Sequence, residues 1–99
     1  FMILDAIHDS GGLAMSSPEK EISKWMHLSN STEGIAVCPE TAVCLGVLDQ
    51  LVSQGKVKSN DRVLVFNTSA AQKYPESVNI DLPKLDLSQP VDWANLPLA

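Results

Sequence analysis

The pattern of apolar and polar positions predicts helices that alternate with short apolar strands. Apolar residues recur near helical spacing in three stretches, residues 1–10, 17–28 and 39–52. Short apolar runs lie between or after them, at residues 13–16, 34–37 and 62–66. Such an alternation predicts the α/β fold class, with short parallel strands separated by helices.

Small and turn-forming residues mark the predicted helix ends. Ser10-Gly11-Gly12 stops the first helix, and Ser17-Pro18-Glu19 starts the second, because serine is a good N-cap and proline fits the first helical position. Asn30-Ser31-Thr32 is expected to end the second helix. The third helix starts at Pro39 and has Gly55 as its C-terminal signal.

The third helix is the most hydrophobic segment of the chain. Between residues 42 and 52 only Asp49 and Gln50 are strongly polar. A helix that is apolar nearly all round is normally buried, so we expect a central helix covered on most sides.

The last quarter of the chain has a different pattern. Residues 75–99 contain four of the six prolines, and their apolar side chains follow no helical period. The sequence therefore predicts a partial α/β domain at residues 1–74 and an extended, proline-rich tail at residues 75–99 that lies across a larger domain.

Composition narrows the partners that the chain can have. Twelve acidic residues against seven basic ones give a formal net charge of −5, which argues against a nucleic-acid partner because phosphate binding needs a basic patch. No apolar run reaches the about 20 residues that span a bilayer, and no signal peptide is visible, so we expect a cytoplasmic chain with no membrane partner.

Neither the cysteines nor the histidines have metal-ligand spacing. Cys38 and Cys44 are too few for a disulfide framework, and we expect both to be small buried packing residues. His8 and His27 fall on different predicted helices, each without a ligating neighbour. We expect no metal site.

The candidate chemistry lies where the last predicted strand ends. The apolar run Arg62–Phe66 stops at Asn67, Thr68 and Ser69, and in open parallel sheets ligands bind beyond the carboxyl ends of strands. The Thr68 hydroxyl can donate and accept a hydrogen bond. The alternative interpretation is a strand-to-helix turn with a capping hydroxyl and no ligand.

Glu40 is the second candidate, in the first turn of the third helix. A carboxylate there is stabilised by about 0.3–1 kcal/mol through free backbone N–H groups and the helix dipole, so a purely structural role also explains it.

Two segments resemble threonine synthase, a pyridoxal-phosphate enzyme of the tryptophan-synthase β type. The matching positions are Gly34, Ile35, Val37, Cys38, Pro39 and Glu40, followed by Arg62, Val63, Phe66, Asn67, Thr68, Lys73 and Tyr74. Residues 3–12 and 90–93 also look like threonine-synthase sequence. One position departs from the family, because Ser69 stands where glycine is usual. A Cβ there would be strained if the position required a positive φ.

The resemblance implies an enzyme that converts O-phosphohomoserine and water to threonine and phosphate. It implies that this chain is a C-terminal part of a fold-type II pyridoxal-phosphate enzyme. The complete parent enzyme, and not this chain alone, would bind the small-molecule substrate. Nothing here resembles the family's cofactor-bearing lysine or its glycine-rich phosphate loop. We therefore expect no catalytic residue in the chain, and neither activity nor cofactor binding in isolation. Two alternatives to the threonine synthase assignment remain open. The chain could be part of a related threonine or serine dehydratase, or it could be a non-catalytic interaction module.

The resemblance also assigns roles to site residues. It implies that the Thr68 hydroxyl donates a hydrogen bond to the pyridine nitrogen of pyridoxal phosphate, with Asn67 and Ser69 as adjacent alternatives. Glu40 would border the cofactor cavity and help to position the ring. Lys73 matches the family but is not the cofactor-bearing lysine. Apolar surface left without its parent domain invites self-association.

Overall fold

The computed structural model describes residues 1–78, 86 and 88–94. Much of the predicted extended tail, residues 79–85, 87 and 95–99, therefore lies outside the described residues. Within the described ranges there are three α-helices: α1 (Met2–Ser10), α2 (Ile22–Glu33) and α3 (Pro39–Ser53). Short 3₁₀ helices occur at Glu19–Glu21, Ala71–Lys73 and Pro75–Ser77.

Helix α1 ends where the sequence predicts. Gly11 follows its last residue with φ 64°, a left-handed conformation that glycine adopts without steric cost, and its N–H donates to the His8 carbonyl. Against the described part of the chain, α1 buries none of its side chains. The apolar residues of its first turn, Met2, Ile3 and Leu4, are exposed.

Helix α2 starts later and ends later than predicted. Glu19–Glu21 form a 3₁₀ helix after an extended Pro18, and α2 begins only at Ile22. The predicted stop at residues 30–32 is wrong because Ser31 and Thr32 bond within the helix. Their hydroxyls donate to the Leu28 carbonyl at 3.0 and 2.8 Å. The helix continues to Glu33 and ends at Gly34, where φ is 68°.

Helix α3 begins at Pro39, as predicted, and ends at Ser53, two residues before the left-handed Gly55. The predicted burial is wrong, because within α3 only Thr41, Ala42 and Gly46 are buried. The other apolar side chains of α3 are half-buried or exposed, although the helix is hydrophobic nearly all round.

The α/β prediction is wrong for the described residues, which contain no strand and no sheet. Residues 13–16, 34–37 and 62–66 carry no strand assignment. One isolated antiparallel bridge joins Val37 to Ala70, within the described ranges. A strand exists only when a neighbour pairs with its backbone N–H and C=O groups, and these apolar runs do not pair with one another. Without a partner, Leu64 and Phe66 are 78% and 74% exposed.

The core forms where α2 packs on α3. Its buried members are Trp25, Met26, Val37, Ala42 and Ala71. The two helices come close at Gly46, where an added Cβ would lie 2.8 Å from Trp25 Nε1 and would also overlap Ser17 Oγ. Ser17 Oγ and Trp25 Nε1 are both enclosed and have no hydrogen-bond partner within the described residues. Position 46 therefore has no room for a side chain.

Many large apolar side chains of the described residues are exposed, among them Phe1, Leu64, Phe66 and Trp93. An apolar groove of about 460 Å³ runs between one side of α3 and residues 63–66. The backbone N–H groups of residues 62–66 make no hydrogen bond with other described residues.

Replacing Gly46 with alanine should destabilise the chain. Helix propensity alone favours alanine over glycine by about 1 kcal/mol, but the Cβ would force Trp25 and Ser17 away at a cost of about 1–3 kcal/mol. Urea unfolding followed by circular dichroism measures the free energy of unfolding. Asp49→Ala, an exposed position on the same helix, is the matched control and should change stability little. A Gly46→Ala variant more stable than the parent would contradict the packing described here.

We propose that the isolated chain self-associates through residues 62–66 and the adjoining groove. Unpaired backbone N–H groups beside exposed apolar side chains favour edge-to-edge pairing between copies. Sedimentation velocity should show an average mass that rises above 10.7 kDa with concentration. The double variant Leu64→Thr, Phe66→Thr should remain closer to monomer, while Leu28→Thr, an exposed apolar position on α2, should not. A parent chain that stays monomeric at every concentration would refute the proposal.

Candidate functional site

The start of α3 meets the turn at residues 66–71 through buried polar side chains. Cys38, the N-cap of α3, is fully buried, and Thr41 is 3% exposed. Thr41 Oγ1 lies 2.9 Å from Asn67 Oδ1 and 3.3 Å from the Phe66 carbonyl oxygen. Cys38 Sγ lies 3.2 Å from Thr41 Oγ1 and 3.8 Å from Asn67 Oδ1. We call Cys38, Thr41 and Asn67 the polar lock.

Backbone contacts hold the C-terminal end of the same turn, at Ala70 and Ala71. The Ala71 N–H donates to the Ala36 carbonyl oxygen at 3.1 Å, beside the bridge between Val37 and Ala70. Residues 66–71 are thus held at both ends by the segment that leads into α3.

The structure places all four predicted site residues at this end of α3. Asn67 and Thr68 are exposed on the turn, and Ser69 is half-buried. Glu40 is exposed in the first turn of the helix, as predicted. The Cys38 thiol lies between the two sides, since its sulfur contacts Thr41 on α3 and Asn67 on the turn.

The strain expected at Ser69 is absent. None of the described non-glycine residues has a positive φ, so Ser69 adopts an ordinary backbone conformation. Serine in place of the family's glycine is a replacement of one small residue by another. Its hydroxyl oxygen is nevertheless enclosed without a hydrogen-bond partner among the described residues.

Sequence reasoning missed Thr41 and assigned Cys38 only a packing role. Cys38 is buried, as predicted, but its thiol belongs to a polar network, and Cys44 is exposed, contrary to the prediction. The available signal was position: Cys38 and Thr41 occupy the N-cap and third helical positions, where side chains commonly bond to one another or to backbone. The sequence pointed to Tyr74 only as a family match.

Hydrogen bonds shift the titration of three groups. Burial and, to a smaller extent, the Glu40 side chain raise the pKa of the Cys38 thiol, but hydrogen bonds from the Thr41 side chain and backbone and from Thr68 outweigh them and leave the pKa below its ordinary value. The Glu40 pKa is lowered by its own backbone N–H and by hydrogen bonds from Cys38 and Tyr74. The Tyr74 pKa is raised, chiefly because its hydroxyl donates to the Glu40 carboxylate.

Two cavities of the described chain lie away from the four predicted site residues. One of about 130 Å³ is bordered by α2 and residues 77–78, and it is smaller than the about 300 Å³ at which ligand pockets begin. The apolar groove of about 460 Å³ touches the site only through Phe66. Neither is lined by Glu40, Asn67, Thr68 or Ser69.

Membrane-spanning helices and metal clusters are both absent from the described part of the chain. No helix there is both long and apolar enough to cross a membrane. No three His, Cys, Asp or Glu side chains in the same residues come together as a set that could hold a metal ion.

Comparison with curated proteins finds relatives that include two threonine synthases and a cysteate synthase. The chain is 33% identical over 72 residues to threonine synthase 2, chloroplastic, of Arabidopsis thaliana, and 32% identical over 74 residues to threonine synthase of Methanocaldococcus jannaschii. It is 26% identical over 95 residues to cysteate synthase of Methanococcoides burtonii. These matches cover 73%, 75% and 96% of this chain.

The chain is therefore similar to the class of synthases that includes threonine synthase and cysteate synthase. Within it, two of the three relatives are threonine synthases, and the resemblance to threonine synthase is confirmed. The chain spans only 14%, 18% and 22% of the length of these three relatives. No family model matches the chain, and no solved structure matches it.

Replacing Glu40 with glutamine should lower the Tyr74 pKa toward its ordinary value. Tyr74 is the only tyrosine, so the ultraviolet absorbance of tyrosinate reports this group alone. Because the folded-state pKa is raised, the bond stabilises the chain below the unfolded pKa of about 10 and is lost as pH rises through the folded value. Glu76→Gln, the weakest contributor, should shift the titration little. An unchanged Tyr74 titration in Glu40→Gln would show that the two side chains do not interact.

Proposed function

We propose that this chain is the C-terminal part of a threonine synthase-like enzyme that converts O-phosphohomoserine and water to threonine and phosphate. The observation that carries the proposal is 32–33% identity to two threonine synthases over about three quarters of the chain. Residues 1–74 would form part of the cofactor-binding domain, and residues 75–99 a strap across it. We place the enzyme in the cytoplasm.

Pyridoxal phosphate, when bound, supplies an electron-withdrawing ring to this chemistry. The site residues fit one edge of such a ring, because Thr68 and Asn67 are exposed on a turn that is fixed at both ends and the Ser69 hydroxyl lacks a partner among the described residues. The Thr68 hydroxyl would donate a hydrogen bond to the ring nitrogen. A neutral hydroxyl does not hold that nitrogen protonated, which moderates the ring's withdrawing strength.

Glu40 and the residues beside Thr68 would have supporting roles. Asn67 and Ser69 are adjacent donors for the same ring edge. Glu40, held by Cys38 and Tyr74, would help to position side chains around the ring. None of these residues anchors the cofactor covalently or through its phosphate, so the substrate and the cofactor would be bound by the parent enzyme and not by this chain alone.

A related synthase with a different substrate is the second candidate. The match to cysteate synthase has lower identity, 26%, but it covers 96% of the chain, more than either threonine synthase match. Substrate choice would then depend on residues outside this chain.

A chimera tests the proposal. This chain would replace the corresponding part of the Methanocaldococcus jannaschii threonine synthase, and phosphate release from O-phosphohomoserine would be measured with pyridoxal phosphate present. We expect turnover by the chimera and none by the isolated chain above a no-enzyme control. Turnover by the isolated chain would disprove its inactivity. A folded, cofactor-loaded chimera without phosphate release would disprove the threonine synthase assignment.

The same chimera with Thr68→Val tests the ring contact. Valine keeps the β-branched shape and removes a hydrogen bond worth about 0.5–1.5 kcal/mol, so cofactor affinity should fall several-fold and turnover further. Thr68→Ser keeps a hydroxyl and should retain most of both. If Thr68→Val binds cofactor and turns over like the parent chimera, Thr68 is a turn residue only.

A further inference from the structure

We propose that Thr41 is a positioning residue, which fixes the Asn67-Thr68 turn by holding the side-chain carbonyl of Asn67. The inference rests on the proposed function in so far as that turn faces a ligand. The observation behind it is geometric. A nearly inaccessible hydroxyl on α3 contacts the side chain of Asn67 and the backbone of Phe66, 26 and 25 residues further along the chain.

The Thr41 hydroxyl has one proton and two acceptors within reach. The Asn67 oxygen, at 2.9 Å, is nearer than the Phe66 carbonyl oxygen, at 3.3 Å, so Asn67 Oδ1 is its main acceptor. The hydroxyl oxygen keeps lone pairs that can accept from the Cys38 thiol, at 3.2 Å. A threonine here can therefore satisfy the sulfur and the amide oxygen together.

The lock determines which end of the Asn67 amide faces outward. Its oxygen is turned toward Thr41 and Cys38, where the Thr41 hydroxyl donates to it at 2.9 Å. The NH₂ group is consequently directed away from α3, on a residue that is exposed. Asn67 thus offers N–H donors to an acceptor group of a ligand, beside the hydroxyl of Thr68.

Loss of the Thr41 hydroxyl would remove this orientation without removing the shape. Valine has the same branching, but it would leave Asn67 Oδ1 with only the long 3.8 Å contact to Cys38 Sγ. The amide would then be free to rotate or to turn its oxygen outward. Serine would keep the donor and lose only a methyl group.

The first experiment uses the isolated chain and needs no cofactor. Side-chain couplings of Asn67 and nuclear Overhauser contacts of its NH₂ protons, both measured by NMR, report whether χ1 and χ2 each occupy one rotamer. We expect one rotamer in the parent and in Thr41→Ser, and averaging over rotamers in Thr41→Val, with circular dichroism showing that the helices persist. A single rotamer in folded Thr41→Val would overturn the proposal. If Thr41→Val fails to fold, Asn67→Leu removes the acceptor instead. It should then average the Thr68 side-chain rotamers, and a single Thr68 rotamer would overturn the proposal.

The second experiment uses the chimera and separates positioning from stability. Thr41→Val should lower cofactor affinity by about two- to tenfold, the range expected for one hydrogen bond, and Thr41→Ser should restore it. In an Asn67→Ala background, Thr41→Val should have little further effect, because the two residues act through one contact. Additive losses would overturn the proposal. If the parent chimera itself is inactive, the proposed function fails, and the rotamer measurement on the isolated chain alone decides the role of Thr41.

Discussion

The close contact of α2 with α3 is the interaction on which the rest of the structure depends. Gly46 has no side chain, and that absence lets Trp25 and Ser17 approach the α3 backbone. The contact sets where α3 lies relative to α2. Val37 and Ala71 complete the same core, so the segment entering α3 and the turn that follows residue 66 are both fixed by it.

The candidate site is a consequence of this packing. Once the segment before Pro39 is held in the core, its backbone is available to the turn, and Ala36 accepts from Ala71. The polar lock then closes the opposite end of the turn. Two exposed residues, Asn67 and Thr68, are therefore presented on a support whose side-chain contacts are buried or part-buried, and binding residues on loops commonly rest on such a fixed support.

The predictable features were those that neighbouring residues decide. Pro39 and Gly11 set the limits of their helices through backbone geometry alone, and Glu40 falls in the first turn because Pro39 starts the helix. The conformation of residues 62–66 was not predictable in this way, because β structure depends on a partner from elsewhere. Thr41 was missed for the same reason, since its acceptors lie 25 or more residues away.

Helix α1 has a consequence for how the chain folds. It has nine residues and buries no side chain against the described residues, whereas isolated helices shorter than about 12–15 residues are marginal in water. Among the described residues, the contact between α2 and α3 therefore contributes little to its stability. A free energy of unfolding measured for this chain would then report mainly on the α2–α3 packing, whereas α1 would fray at a lower free energy of local opening.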